Sequence, residues 1–279
     1  MKFKDLPQLL PWLRPKPVRY GHEEIRLDLG EFGSINYAKW NHALWSIRPP
    51  CEQDIKLLKT FLSDGDVAID IGAHQGDTSV AMAVACGPSG KVLAFEPNSF
   101  VLPVLRRNSE LNSGKFNIEV YPYAATETDG SVTFWYSDEG YHNGGSHGDL
   151  SRLNHGHMMP LEVEGRNLPK LLSQQPGSVA RLKFVKVDTE GHDLAVLKSM
   201  ESLLRQQMPF VRAEMYMRWN AAQRSEMLNF FKPLGYAVRR WDDNLRGSEI
   251  EEGDLMKLKH FDVFAVPKSS AFYRIGSMQ

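Results

Sequence analysis

Residues 67–77 read VAIDIGAHQGD, an apolar, β-branched run through Asp70, then Gly72 and Gly76, then the polar start of a helix. A second apolar run, KVLAFEP at 91–97, ends on the carboxylate Glu96 beside Pro97. A strand, a glycine turn and a helix, followed by a strand with an acidic end, describe a nucleotide pocket at the carboxyl edge of a parallel sheet. Such sheets open a crevice there, and glycines let the backbone approach a ligand closely. Glu96 is placed to hold a ribose diol.

What the turn lacks narrows the nucleotide. A dinucleotide fingerprint needs three glycines spaced G-x-G-x-x-G to cradle a pyrophosphate at a helix N-terminus. Here His74 and Gln75 stand between Gly72 and Gly76. The Gly-Lys-Ser/Thr of a phosphate-gripping loop is absent as well. The turn therefore suits a ligand without phosphates, and S-adenosylmethionine fits: its ribose needs an acidic acceptor, and its carboxylate can take backbone amides from the turn.

Outward from this segment, strand and helix patterns alternate. Strands are predicted at 67–71, 91–96, 118–124, 182–188, 209–215, 236–241 and 261–266, with helices at 54–62, 78–86, 100–111, 194–206 and 221–232. Nearly all-apolar strands in such alternation indicate a parallel sheet covered on both faces, and the last strand is expected to run antiparallel. Residues 18–48 alternate around Gly21, Gly30 and Gly33, predicting a β-hairpin with Trp40 and Trp45 in its core. The chain thus divides into an N-terminal extension, 1–53, and an α/β domain, 54–279, with an insertion at about 130–165. That insertion carries strand patterns SVTFWYS and LEVEG around a glycine- and histidine-rich stretch, and long insertions of this kind are typically functional.

The bulk properties exclude other classes. A net charge of −1 gives no basic footprint for nucleic acid. Cys51 and Cys86, the two cysteines, have neither metal-ligand nor redox spacing. No segment approaches the ~20 apolar residues of a membrane helix, and the first residues are broken by prolines, so a cytoplasmic protein is expected. Leu9, Leu10, Trp12 and Leu13 form a short apolar cluster expected to dock on the chain's own domain.

A glycine turn after the first strand, an acidic end to the second and a reversed last strand describe a Rossmann-like methyltransferase. More specifically, DIGAHQGD, VLAFEPN, VYPYAATETDGSV, FVKVDTEGHDLAVLKSM and PFVRAEM, in that order, resemble the FkbM family of S-adenosylmethionine-dependent O-methyltransferases over about residues 60–266. KVDTEGHD is the most discriminating piece. The resemblance implies a seven-stranded, mostly parallel sheet with S-adenosylmethionine as cofactor. Asp70, Gly72, Ala73, His74, Gln75 and Gly76 would form the cofactor turn, Glu96 and Pro97 would lie at the ribose, and Ala124 near the adenine. Lys186, Asp188, Glu190 and Gly191 would face the sulfonium and the acceptor, Asp188 serving both ligands. His192 departs from the family, whose members often have a small residue or an aromatic there.

Methyl transfer to a hydroxyl is an in-line displacement, so the site must align oxygen, methyl and sulfur and remove a proton. Candidates for the base are Asp188, Glu190, His192 and Glu214, all at or beyond the carboxyl ends of the fourth and fifth strands. Lys186 alternates with Asp188 and shares its face, either tuning a carboxylate or forming a buried ion pair. His142, His147, His155, His157 and Asp149 make a divalent metal conceivable, but their spacing matches no compact motif, and a mobile lid over the acceptor is the stronger reading. Trp135, Tyr136, Tyr141, Tyr216 and Trp219 offer either core packing or faces for a sugar.

The expected acceptor is a sugar hydroxyl in a glycan or glycolipid, with a polyketide or other natural-product hydroxyl as the alternative. A non-catalytic cofactor-binding or scaffold module is the reading from another class. Nucleic-acid methylation is disfavoured by the balanced charge and by DTEG, where an Asn/Asp-Pro-Pro-Tyr/Phe motif would stand. Self-association into a homo-oligomer stays open.

Overall fold

A computed structural model describes residues 16–44, 46–142, 144–145, 159–242, 245 and 248–276. Trp45, the apolar cluster at Leu9–Leu13, His147, Asp149, His155 and His157 lie outside the described residues.

The strands are β1 (His22–Asp28), β2 (Ser34–Trp40), β3 (Val67–Ile71), β4 (Lys91–Phe95), β5 (Ile118–Tyr121), β6 (Ala124–Ala125), β7 (Gly130–Tyr136), β8 (Gly144–Gly145), β9 (Met159–Arg166), β10 (Leu182–Val187), β11 (Phe210–Met215), β12 (Tyr236–Arg240) and β13 (Phe261–Pro267). The helices are α1 (Glu52–Lys59), α2 (Asp77–Cys86), α3 (Leu102–Glu110), α4 (Leu168–Leu172), α5 (Pro176–Val179), α6 (Asp193–Ser199), α7 (Glu201–Gln207), α8 (Ala221–Phe231) and α9 (Ala271–Gly276).

Seven strands form the main sheet in the order β12-β13-β11-β10-β3-β4-β5. β11, β10, β3, β4 and β5 pair in parallel, and β13 runs antiparallel between β11 and β12. The chain winds from β3 outward to β5, then returns to the other side of β3 as β10. The crevice of a doubly wound sheet opens at that reversal, beyond the carboxyl ends of β3 and β10. Burial on both faces explains the unbroken apolar runs: Ile69, Ile71, Phe95, Val185 and Val187 belong to one core cluster, and Ala68, Val92, Ala94 and Phe184 to another.

Two predicted elements differ from the observed ones. The third strand stops at Tyr121, because Pro122 has no N–H to donate; Ala124–Ala125 instead pairs with β9 in a separate sheet, ordered β6-β9-β7-β8. The helix predicted at 194–206 is two helices, α6 and α7, broken at the fully buried Met200. The predicted insertion strands are β7 and β9, paired antiparallel from Gly130↔Gly165 to Tyr136↔Met159.

The N-terminal hairpin, β1–β2, docks on α3 through side-chain amides. Asn108 accepts from Ala38 N at 2.7 Å and donates to Ala38 O at 2.8 Å; Asn112 accepts from Asn36 N at 3.0 Å and donates to Asn36 O at 2.7 Å. Asn108 in the last turn of α3 and Asn112 just past its end thus present two amides to alternate residues of a strand edge. Trp40, Phe100, Val101, Val104, Tyr136, Tyr141 and Met159 form a third apolar cluster where the hairpin, α3 and the second sheet meet.

Candidate active site

The glycine turn after β3 has three left-handed residues in alternation: Gly72 at φ 78°, His74 at φ 50° and Gly76 at φ 94°. A Cβ at Gly72 would lie 1.9 Å from the Asp188 carbonyl oxygen, so no other residue fits between the turn and the end of β10. Gly72 and Ala73 N–H both donate to Phe95 O at 3.0 Å, and His74 N–H donates to Glu96 Oε2 at 2.7 Å. This corrects the expectation that these turn amides are offered to a ligand carboxylate: they fasten the turn to the end of β4.

Beneath the turn, the buried Lys186 and Asp70 form a charge network with the exposed Asp188. Lys186 Nζ sits 3.3 Å from Asp70 Oδ1 and 3.4 Å from Asp188 Oδ2, and donates to Gly72 O at 3.0 Å. Asp70 Oδ2 accepts from Ser79 Oγ at 2.6 Å. Burial works against the Lys186 charge, but Asp70 and Asp188 hold the ammonium protonated above its usual range. Gln75 Oε1 accepts from Trp40 N at 3.0 Å and so ties the turn to the hairpin.

A cavity of about 360 Å³ opens over this layer, and Gly72, His74, Glu96, Pro97, Ala124, Asp188, Glu190 and His192 all line it. Asp70, Ala73, Gln75, Gly76, Lys186 and Glu214 are not among its lining residues. Glu96 is 6% exposed and accepts from His74 N and from Asn98 N at 2.8 Å. Burial pushes its carboxyl up to about 7 against those two amides. The neighbouring wall is apolar, built from Phe95, Tyr123, Ala124, Ala125, Val132 and Phe134.

The turn after β10 is organised by the fully buried Asp193, whose Oδ2 takes Thr189 N and Gly191 N at 3.3 Å and Thr189 Oγ1 at 3.1 Å. This tight winding places Glu190 at φ 54° on the cavity wall, where burial and then the Asp188 charge push its carboxyl up to about 7. Glu214, one strand away, has Oε1 3.2 Å from His260 Nδ1, and burial with the charges of Asp188, Asp193, Glu190 and Asp262 pushes it up to about 9.

The cavity also holds Asn98 and Thr189, which the sequence reading did not single out, and Tyr136, one of the aromatics it offered as core or sugar face. Asn98 links the two sheets, donating to Tyr141 O at 2.6 Å. His142, which the sequence offers as a conceivable metal ligand in the histidine-rich insertion, lines the cavity with its Nδ1 3.1 Å from Asp138 Oδ2. Among the described residues no group of three or more His, Cys, Asp or Glu side chains could hold a metal ion, and no helix is long and apolar enough to cross a membrane.

Residues 70–238 match the family described as the Methyltransferase FkbM domain. The chain belongs to the FkbM methyltransferase family. This FkbM chain is 31% identical over 175 residues to the hexuronic acid methyltransferase AglP of Haloferax volcanii, a match covering 62% of the chain and 66% of that relative. Among solved structures it is similar to an FkbM methyltransferase from Methylobacillus flagellatus KT at 16% identity and TM-score 0.45, covering 73% of this chain and 44% of that one. It is also similar to a precorrin-6y C5,15-methyltransferase from Geobacter metallireducens GS-15 at 14% identity and TM-score 0.43, covering 77% and 87% respectively.

Proposed function

We propose that this FkbM methyltransferase transfers a methyl group from S-adenosylmethionine to a hydroxyl of a sugar in a glycan or glycolipid. The observation that carries the reading is the convergence, in one cavity, of Glu96 from the end of β4 with Asp188 and Glu190 from the end of β10. The relative named for hexuronic acid supports a sugar as the acceptor.

The residues fit the cofactor. Glu96 has both carboxylate oxygens fixed by backbone amides, which leaves further lone pairs for a ribose diol. The apolar wall beyond it suits a purine, with Pro97 and Ala124 at that end. His74 Nδ1 is buried without a hydrogen-bond partner, a polar atom awaiting a ligand or water. When bound, the cofactor supplies a methyl group made electrophilic by positive sulfur. Asp188 supplies negative charge near such a centre, and Asp188 and Glu190 both supply acceptors for the hydroxyls of a sugar. Asp70, Lys186, Ala73, Gln75 and Gly76 act one layer down, holding the turn in shape; Glu214 and His192 flank the acceptor side. Fixing two reactants in attack geometry is worth several kcal/mol, about 7–11 in well-oriented systems.

Calorimetry with S-adenosylmethionine, followed by a transfer screen against nucleotide sugars and uronic-acid-containing oligosaccharides, tests the reading. Binding with formation of S-adenosylhomocysteine and a methylated sugar is expected. Binding without product from any sugar would leave a cofactor-binding module instead.

A further inference from the structure

The insertion and the hairpin meet at a carboxylate that none of the sequence motifs includes. Asp138 accepts four hydrogen bonds: from His142 Nδ1 at 3.1 Å, His42 Nε2 at 3.0 Å, Gly140 N at 2.8 Å and Ser137 Oγ at 3.0 Å. His42 Nδ1 accepts from Leu44 N at 3.2 Å, which fixes that ring as the Nε2–H donor. Gly140 is required by this packing, because a Cβ there would lie 2.1 Å from His42 Nε2 and 2.6 Å from Tyr20 Cε2. Burial alone would raise Asp138, but its four donors, His142 first among them, hold it below the usual carboxylate range.

We infer that His142 is the general base that takes the proton of the acceptor hydroxyl, with Asp138 as its positioning residue and His42 as the brace. The inference rests on the methyl-transfer reading above. An ionised carboxylate only accepts, so Asp138 keeps the His142 proton on Nδ1 and places the basic lone pair on Nε2. His142 itself lines the cavity that holds Glu96, Asp188 and Glu190. In the step, the acceptor oxygen forms a bond to the methyl carbon and the carbon–sulfur bond breaks with its electron pair on sulfur. The hydroxyl proton passes to His142 Nε2 and then to solvent. Among the described residues, titratable groups facing the imidazole include Asp138 on its own segment, His42 at the hairpin exit and His74 on the glycine turn, with Glu96, Asp188 and Glu190 sharing the cavity.

Three measurements test this. Nitrogen NMR of the ligand-free wild type is expected to show His142 protonated on Nδ1, and Asp138→Asn to lose that preference. His142→Gln is expected to bind S-adenosylmethionine within about threefold of wild type yet lose about 100-fold or more in kcat, the scale of general-base help. The acidic limb of its kcat/KM profile should vanish, while Glu190→Gln keeps that limb. Asp138→Asn should lower kcat at least tenfold with KM nearly unchanged. A wild-type Nε2–H tautomer overturns the inference, as does a His142→Gln enzyme keeping more than about a third of kcat with an unaltered profile. So does a variant whose defect lies in cofactor affinity or folding alone. If the wild type transfers methyl only to a carboxylate, no base is needed and the inference falls while methyl transfer stands; if it transfers to nothing, the functional reading falls first.

Discussion

At Glu96 a single carboxyl has two demands on it. In the free protein burial pushes it up to about 7, so near neutrality it is partly protonated. Ribose hydroxyls donate, and therefore favour the ionised form. Affinity for S-adenosylmethionine should rise as pH climbs from 6 to 8, with proton release on binding. Calorimetry in two buffers of different ionisation enthalpy measures both. Glu96→Gln should flatten this dependence, and Glu96→Ala should weaken binding by about 1–3 kcal/mol, the scale of lost charge-assisted hydrogen bonds. A pH-independent Kd in the wild type would take Glu96 out of the ribose site. Lys186 calls for a different expectation, since it is 5% exposed and stands against Asp70 and the Gly72 carbonyl. Lys186→Met should lower unfolding free energy by about 3–5 kcal/mol, because Asp70 is left buried without its counter-charge. Urea denaturation reads this directly. Glu96 and Asp188 were legible in the sequence because a strand end at a crevice is a place that spacing alone defines. Asp138 was not, since its meaning comes from His42, 96 residues away. Nor could spacing reveal that the turn amides face Phe95 O and Glu96, because donor direction depends on left-handed φ at His74 as well as at the glycines.

Among elements, α3 and the turn that follows it do the work of an extra strand against the hairpin. Asn108 and Asn112 both satisfy backbone groups of β2, but only Asn108 also donates to Gln75 O, at 2.8 Å, inside the glycine turn. Asn108→Ala should therefore cost about 1–3 kcal/mol of stability and also weaken cofactor binding, whereas Asn112→Ala should touch stability alone. Denaturation and calorimetry on the pair separate the two effects; equal cofactor affinities would break the link between helix and turn. The apolar alternation of β3, β4 and β10 made these strands readable, because burial on both faces leaves a compositional mark. The asparagines left none: an amide on a helix or in the turn after it reads as solvent-facing until the strand edge it serves is in view. Pro122 was visible in the sequence, and its missing N–H is what ends β5 three residues before the predicted boundary. Met200 carries no breaker chemistry, and the split between α6 and α7 there had no local signal.

For the whole molecule, the cavity is walled by two sheets that the sequence presents as one domain and its insertion. Gly72, Glu96 and Asp188 come from the edge of the seven-stranded sheet, whereas Ala124, Val132, Tyr136 and Gly144 come from the four-stranded one. The apolar cluster around Trp40, Phe100 and Tyr141 joins hairpin, α3 and second sheet, and Asn98 crosses from beside Glu96 to the Tyr141 carbonyl. A ligand in this cavity stabilises both walls together. At one hundred times its Kd a ligand adds about 2.7 kcal/mol to the folded state. For a chain of this length 1 kcal/mol moves Tm by about 2–4 °C, so saturating S-adenosylhomocysteine should raise Tm by about 5–11 °C. Because the third cluster couples the walls, calorimetric melting should stay a single transition with and without ligand. Two transitions, only the upper of which moves, would mean that the four-stranded sheet unfolds independently and that the cofactor is held by the seven-stranded sheet alone. In that case Asp138 and His142 would melt away from the cavity before the cofactor site does, and transfer activity should be lost at the lower transition while binding persists to the upper one.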